Sequence, residues 1–123
     1  MNRATLAIRS AIAFAALATA PCAFAHAFLD HADPRVGSTV DHAPSQVTLR
    51  FTEALEPAFS KVKVLDAHGN EVDAKDGAVD ANDRTVMHAT VRNLPPGKYR
   101  VEWRAVSADT HVTSGNFTFE VRR

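Results

Sequence analysis

The sequence predicts an all-β domain, a sandwich or barrel of short strands, and three observations predict it. Apolar and polar residues alternate with period two in several runs between Gln46 and Val121, the pattern of half-buried strands. Turn chemistry separates the runs at Asp33-Pro34, Ala43-Pro44, His68-Gly69-Asn70, Asn82-Asp83 and Pro95-Pro96-Gly97. Past residue 26 no window keeps a helical period for more than a turn or two, and short strands at this spacing indicate a sandwich or barrel.

Residues 1–25 do not belong to that pattern. Arg3 and Arg9 form a positive start, Ala11 to Ala20 is apolar but for Thr19, and Ala23-Phe24-Ala25 offers small residues at a cleavage point. The segment is expected to be a cleaved secretory signal. Its apolar run falls well short of the roughly 20 residues a spanning helix needs, and Pro21 ahead of Cys22 does not suit a lipid-attachment site. Removing 25 of 123 residues leaves 98, one small domain spanning 26–123. Lys plus Arg falls from 14 to 12 against 14 acids, a net charge of about −2. Such a balance argues against nucleic acid, which calls for a basic stripe. The single cysteine leaves with the signal, so the exported domain relies on its core rather than on a disulfide.

The strands follow in order. "QVTLRFTE" sets Val47, Leu49 and Phe51 against Thr48, Arg50 and Thr52. "KVKVLD" places Val62 and Val64 on one face. "TVMHATV" opposes Met87 and Ala89 to Val86 and His88, which leaves its inner face open. "YRVEWRAV" sets Tyr99, Val101, Trp103 and Ala105 against Arg100, Glu102, Arg104 and Val106, and "NFTFEV" closes the chain with Phe117, Phe119 and Val121. These aromatics are expected in the core. Polar residues 68–84 read as a long connection or a weak edge strand. "LPPGKY" resembles the tyrosine corner of immunoglobulin-like sandwiches.

Catalytic signals are thin, since no glycine-flanked nucleophile elbow is present and no cysteine remains after the signal. The informative segment is "WRAVSADTHVTSGNF", which carries Asp109 and His111 two apart. In extended chain such residues share a side, roughly 6.5–7 Å apart along the strand. Alone, the pair reads as a turn cap and a loop histidine, because metal sites use three or four ligands. A cut after Ala25 changes this by making His26 the first residue. It would offer an α-amine and an imidazole, groups that release a proton near neutral pH. With Asp109 and His111 it makes three nitrogens and one oxygen, a set that favours Cu(II). Glu53 continues the inward series of Val47, Leu49 and Phe51 to a strand end, either solvated, as an outer ligand, or orienting a ligand histidine. His31, His42, His68 and His88 read as surface or strand histidines. Met87 is the one methionine left after cleavage, too few for a Cu(I) thioether site.

"HAFLDHADP", "VTLRFTEALEPAFS" and above all "YRVEWRAVSADTH" resemble the CopC family of periplasmic copper-binding proteins over nearly the whole of 26–123. The resemblance implies an immunoglobulin-like or cupredoxin-like Greek-key β-sandwich. It also implies Cu(II) held by His26 through amine and imidazole, by Asp109 and by His111, with Glu53 a further member. It implies a periplasmic copper carrier or buffer without a reaction of its own, handing copper to an inner-membrane protein of the CopD type. The methionine-rich loop of some members has no counterpart around residues 63–90, which points to Cu(II) alone. Two other readings are a copper-dependent oxidative enzyme like the lytic polysaccharide monooxygenases, and a metal-free immunoglobulin-like domain. An anionic Asp109 ligand, which would discourage redox cycling, argues against the first. The coincidence of His26 with the Asp109–His111 pair argues against the second.

Overall fold

A computed structural model describes residues 26–123; the expected signal and Cys22 lie outside the described residues. Eight strands build two four-stranded sheets. They are β1 (Leu29–Asp33), β2 (Thr39–Val40), β3 (Gln46–Phe51), β4 (Lys61–Leu65), β5 (Ala78–Val79), β6 (Val86–Thr90), β7 (Gly97–Val106) and β8 (Val112–Val121). One sheet runs β1-β3-β6-β5 and the other β2-β8-β7-β4. The first strands divide between the sheets, β1 antiparallel to β3 and β2 parallel to β8. With β4 crossing from one sheet to the other, this is the immunoglobulin-like Greek-key sandwich.

The alternating runs close the core as the period-two pattern requires. Val47, Leu49 and Phe51 from β3 face Val101 and Ala105 from β7 and Phe117, Phe119 and Val121 from β8, all buried. The face left open in "TVMHATV" resolves with Met87, Ala89 and Val91 buried inward and His88 half-buried on the outer side. Trp103 departs from expectation, being only partly buried. Its indole meets Phe51 edge-on at 5.1 Å and lies across Gly115 of β8, where an added Cβ would stand 2.7 Å from the ring. It thus reaches the wall of an open groove of about 590 Å³ between β4 and the 71–78 segment.

Residues 68–84 supply the two-residue edge strand β5 and a seal for the edge of β4. Val72 N–H donates to the Val64 carbonyl at 2.8 Å, while Asp73 accepts from Val64 N–H at 2.9 Å and Lys75 N–H at 3.0 Å. Closing an edge in this way keeps its backbone groups from pairing with another chain. The tyrosine corner forms as the motif predicted, with the Tyr99 hydroxyl donating to the Pro95 carbonyl four residues back. That corner lies at one end of the sandwich. The other end, where β3 and β7 finish and β1 and β8 begin, carries the candidate site.

Candidate metal centre

Strand pairing brings three segments together at this end. Leu29 opposes Phe51, which sets the residues just ahead of β1 beside the end of β3. Val106 opposes Val112, so residues 107–111 form the tip of the β7–β8 hairpin. The 53–60 loop joins them through a bridge between Leu55 and Ser107 and through Glu56 N–H donating to the Val106 carbonyl at 2.7 Å.

The tip is a tight turn rather than extended chain, which corrects the spacing expected for Asp109 and His111. Ser107 N–H donates to the His111 carbonyl at 2.9 Å and Thr110 N–H to the Ser107 carbonyl at 2.8 Å. Between the pair, Thr110 has φ 71°, a left-handed conformation uncommon for a β-branched residue. Backbone held there persists only where its surroundings enforce it. The turn lets the side chains touch: His111 Nδ1 is buried and lies 3.0 Å from Asp109 Oδ2. The Ser107 hydroxyl donates to Asp109 Oδ1. That bond, ahead of the one from His111, holds the Asp109 carboxyl below its ordinary value of 3.8 and keeps it an anionic acceptor at neutral pH.

His26 arrives from the other side. Its ring stands 4.7 Å from that of His111, tilted 70°, and 6.0 Å from that of Phe28. Both imidazoles are half-buried, while Asp109 and Phe28 are exposed. The fold therefore brings His26, Asp109 and His111 to one place from residue positions more than eighty apart. Among the described residues no group of three or more His, Cys, Asp or Glu side chains is already placed to hold a metal ion. The trio is held by the His26–His111 ring contact and by the 3.0 Å contact of His111 Nδ1 with Asp109 Oδ2. Its donors, two imidazoles and a carboxylate, are chemically suited to a divalent copper ion.

Glu53 does not extend the inward row, because β3 ends at Phe51 and Glu53 is exposed in the bend that follows. It sits between Thr52, which bonds the chain start, and Ala54, whose carbonyl accepts from Ala108 N–H at 3.1 Å. His31, His42 and His68 are exposed, and His88 Nε2 lies 3.0 Å from Asp80 Oδ2 on the outer face of the first sheet. Met87 is fully buried. Sequence reasoning passed over Ser107, which is buried at 2% exposure. A signal was present: Ser107 extends the inward row of Tyr99, Val101, Trp103 and Ala105 by one step, a hydroxyl where an apolar residue belongs.

An immunoglobulin-like sandwich with a histidine ahead of its first strand packed against a turn-borne Asp–His pair defines a class of small β domains with nitrogen- and oxygen-rich sites at one end. The family model described as CopC domain matches residues 29–122, and the chain belongs to the CopC family. Among solved structures it is similar to CopC from Methylosinus trichosporium OB3b, at 32% identity and a TM-score of 0.73, over 79% of this chain and 94% of that one. It is also similar to PcoC of Escherichia coli, described as a methionine-rich copper resistance protein, at 39% identity and a TM-score of 0.69, over 80% of this chain and all of that one. The copper transport protein CutJ of Bacillus subtilis (strain 168) is 36% identical over 99 residues, which are 80% of this chain but only 18% of CutJ. No helix among the described residues is long and apolar enough to cross a membrane.

Proposed function

We propose that the protein is a periplasmic Cu(II) carrier or buffer whose cargo is held by His26, Asp109 and His111. The observation that carries this reading is the meeting of the His26 and His111 rings at 4.7 Å beside a carboxylate already bonded to His111. Copper would be cargo rather than cofactor. The donors would be the His26 amine and imidazole, an Asp109 oxygen and a His111 nitrogen. Glu53 is assigned a supporting place, near enough in the chain to act as an outer ligand or to orient a histidine. Anionic Asp109 favours Cu(II) over Cu(I), and the fully buried Met87 offers no thioether to a surface site. The protein has no reaction of its own in this reading. The carrier role is supported by the copper resistance and copper transport names among its relatives, and the copper would pass to an inner-membrane partner of the CopD type.

The test starts from the full chain exported and processed by its own signal, its first residue fixed by mass spectrometry. A second version carries one glycine inserted after Ala25, and Cu(II) is titrated into both against a competing chelator. The processed chain is expected to bind one equivalent tightly and the extended chain to bind more weakly by on the order of 100-fold, as loss of a ligand demands. Equal tight binding would remove the amine from the site.

A further inference from the structure

The three residues ahead of β1 have no strand partner, yet every one of their carbonyls is engaged. The His26 carbonyl accepts from the Thr52 hydroxyl at 3.3 Å, the Ala27 carbonyl from the Thr113 hydroxyl at 2.6 Å, and the Phe28 carbonyl from Thr52 N–H at 2.9 Å. Phe28 N–H returns a bond to the Thr52 hydroxyl at 3.0 Å. Thr52 directly follows β3 in one sheet, and Thr113 belongs to β8 in the other. The arm is bracketed by hydroxyls from both sheets, with the Ala27 methyl sealed completely into the core beneath it.

Thr113 stands two residues beyond His111, and its acceptor, Ala27, is the neighbour of His26. One side-chain hydrogen bond therefore joins the backbone that carries one imidazole to the backbone that carries the other. We infer that Thr113, with Thr52 opposite, is a positioning residue that holds His26 against His111 before copper arrives. The inference rests on the copper reading above and deepens it. A free arm would have to be ordered at the moment of binding, which lowers apparent affinity by the fraction of time the arm is out of place. A single neutral hydrogen bond is worth about five- to tenfold in such an equilibrium.

The experiment compares Thr113→Val, which keeps the shape and removes the hydroxyl, with Thr113→Ser, which keeps the hydroxyl. Each is prepared as the exported, processed chain. Cu(II) affinity is measured by chelator competition, and the metal-free proteins are examined by NMR for the His26–His111 ring contact. Thr113→Val is expected to bind copper about tenfold more weakly and to lose the ring contact without metal. Thr113→Ser is expected to stay within about twofold of the parent. In a His111→Ala background the Val substitution is expected to add less than about twofold, because the arm no longer has an imidazole to be held against.

Parent-like affinity with an intact ring contact in Thr113→Val overturns the inference. So does an equal tenfold loss in the His111→Ala background, which would mark a general loosening of the fold. Should Thr113→Val not fold, Thr52→Val carries the same expectations from the other sheet, and parent-like behaviour there overturns the inference equally. A parent that fails to bind Cu(II), or a His111→Ala chain that binds as the parent does, sinks the copper reading instead. The metal-free ring contact would still decide whether Thr113 positions the arm.

Discussion

Among the described residues two histidine–aspartate pairs stand at the same nitrogen-to-oxygen distance, one through Nδ1 and the other through Nε2. His111 Nδ1 lies 3.0 Å from Asp109 Oδ2, and His88 Nε2 lies 3.0 Å from Asp80 Oδ2. The two histidine side chains are even equally exposed, at 35% each. Neither the contact nor its burial therefore separates a functional pair from a structural one. What differs is the company. Asp80 spends its other oxygen on Asn82 N–H at 2.7 Å and Asp83 N–H at 3.0 Å, organising the turn that leads into β6. Asp109 Oδ1 is held by the buried Ser107 hydroxyl, and His111 faces a second imidazole delivered by the segment ahead of β1. A His–Asp contact is common turn chemistry, and the third donor makes it a candidate site.

The contrast breaks most sharply with copper itself. His111→Ala is expected to weaken Cu(II) binding by on the order of 100-fold or more, and His88→Ala to leave it within about twofold. A comparable loss from both, read by the same chelator competition, would erase the distinction.

Acid stability sharpens it next. Asn82 N–H first, and then the bond to His88, hold the Asp80 carboxyl below its ordinary value of 3.8. A carboxyl depressed in the folded state lends stability above its unfolded pKa and loses it as pH falls through the folded value. Asp80→Asn is therefore expected to melt below the parent at neutral pH, with the gap closing below about pH 4. Copper affinity should be unmoved. A constant gap across that range would show that the Asp80 charge does not stabilise the turn.

The smallest expected effect sits at the far end of the sandwich. Tyr99→Phe removes the bond to the Pro95 carbonyl and is expected to cost about 1 kcal/mol, a few degrees of melting temperature in a domain of this size. Its copper affinity should match the parent's. A Tyr99→Phe chain that lost affinity would mean that the two ends are coupled through the core.

The sequence was legible where a physical periodicity wrote it. Strands β3 and β4 stand out because one face of each is buried, and β7 because its inward row is buried but for Trp103; "LPPGKY" announces its corner because that turn needs a tyrosine. Strand β1 did not, since "LDHAD" buries only Ala32 fully and carries charge on both sides. Strands β2 and β5 are two residues each, too short to hold a period. At the site, the residue types and the D-x-H spacing named Asp109 and His111, but the left-handed Thr110 that joins them leaves no mark in composition. Glu53 lies past Phe51, where the β3 ladder ends, so the period that turns Val47, Leu49 and Phe51 inward does not reach it. Thr52 and Thr113 could not be found from the sequence, because their partners are backbone carbonyls and any residue supplies one.

The central claim is that His26 and the Asp109–His111 pair act on one ion. Electron paramagnetic resonance of the processed chain with one equivalent of Cu(II), beside His111→Ala and His88→Ala, tests it most directly. The expected spectrum is tetragonal, with three nitrogen donors and one oxygen, one nitrogen fewer in His111→Ala, and no change in His88→Ala. A spectrum that His111→Ala leaves untouched would contradict it.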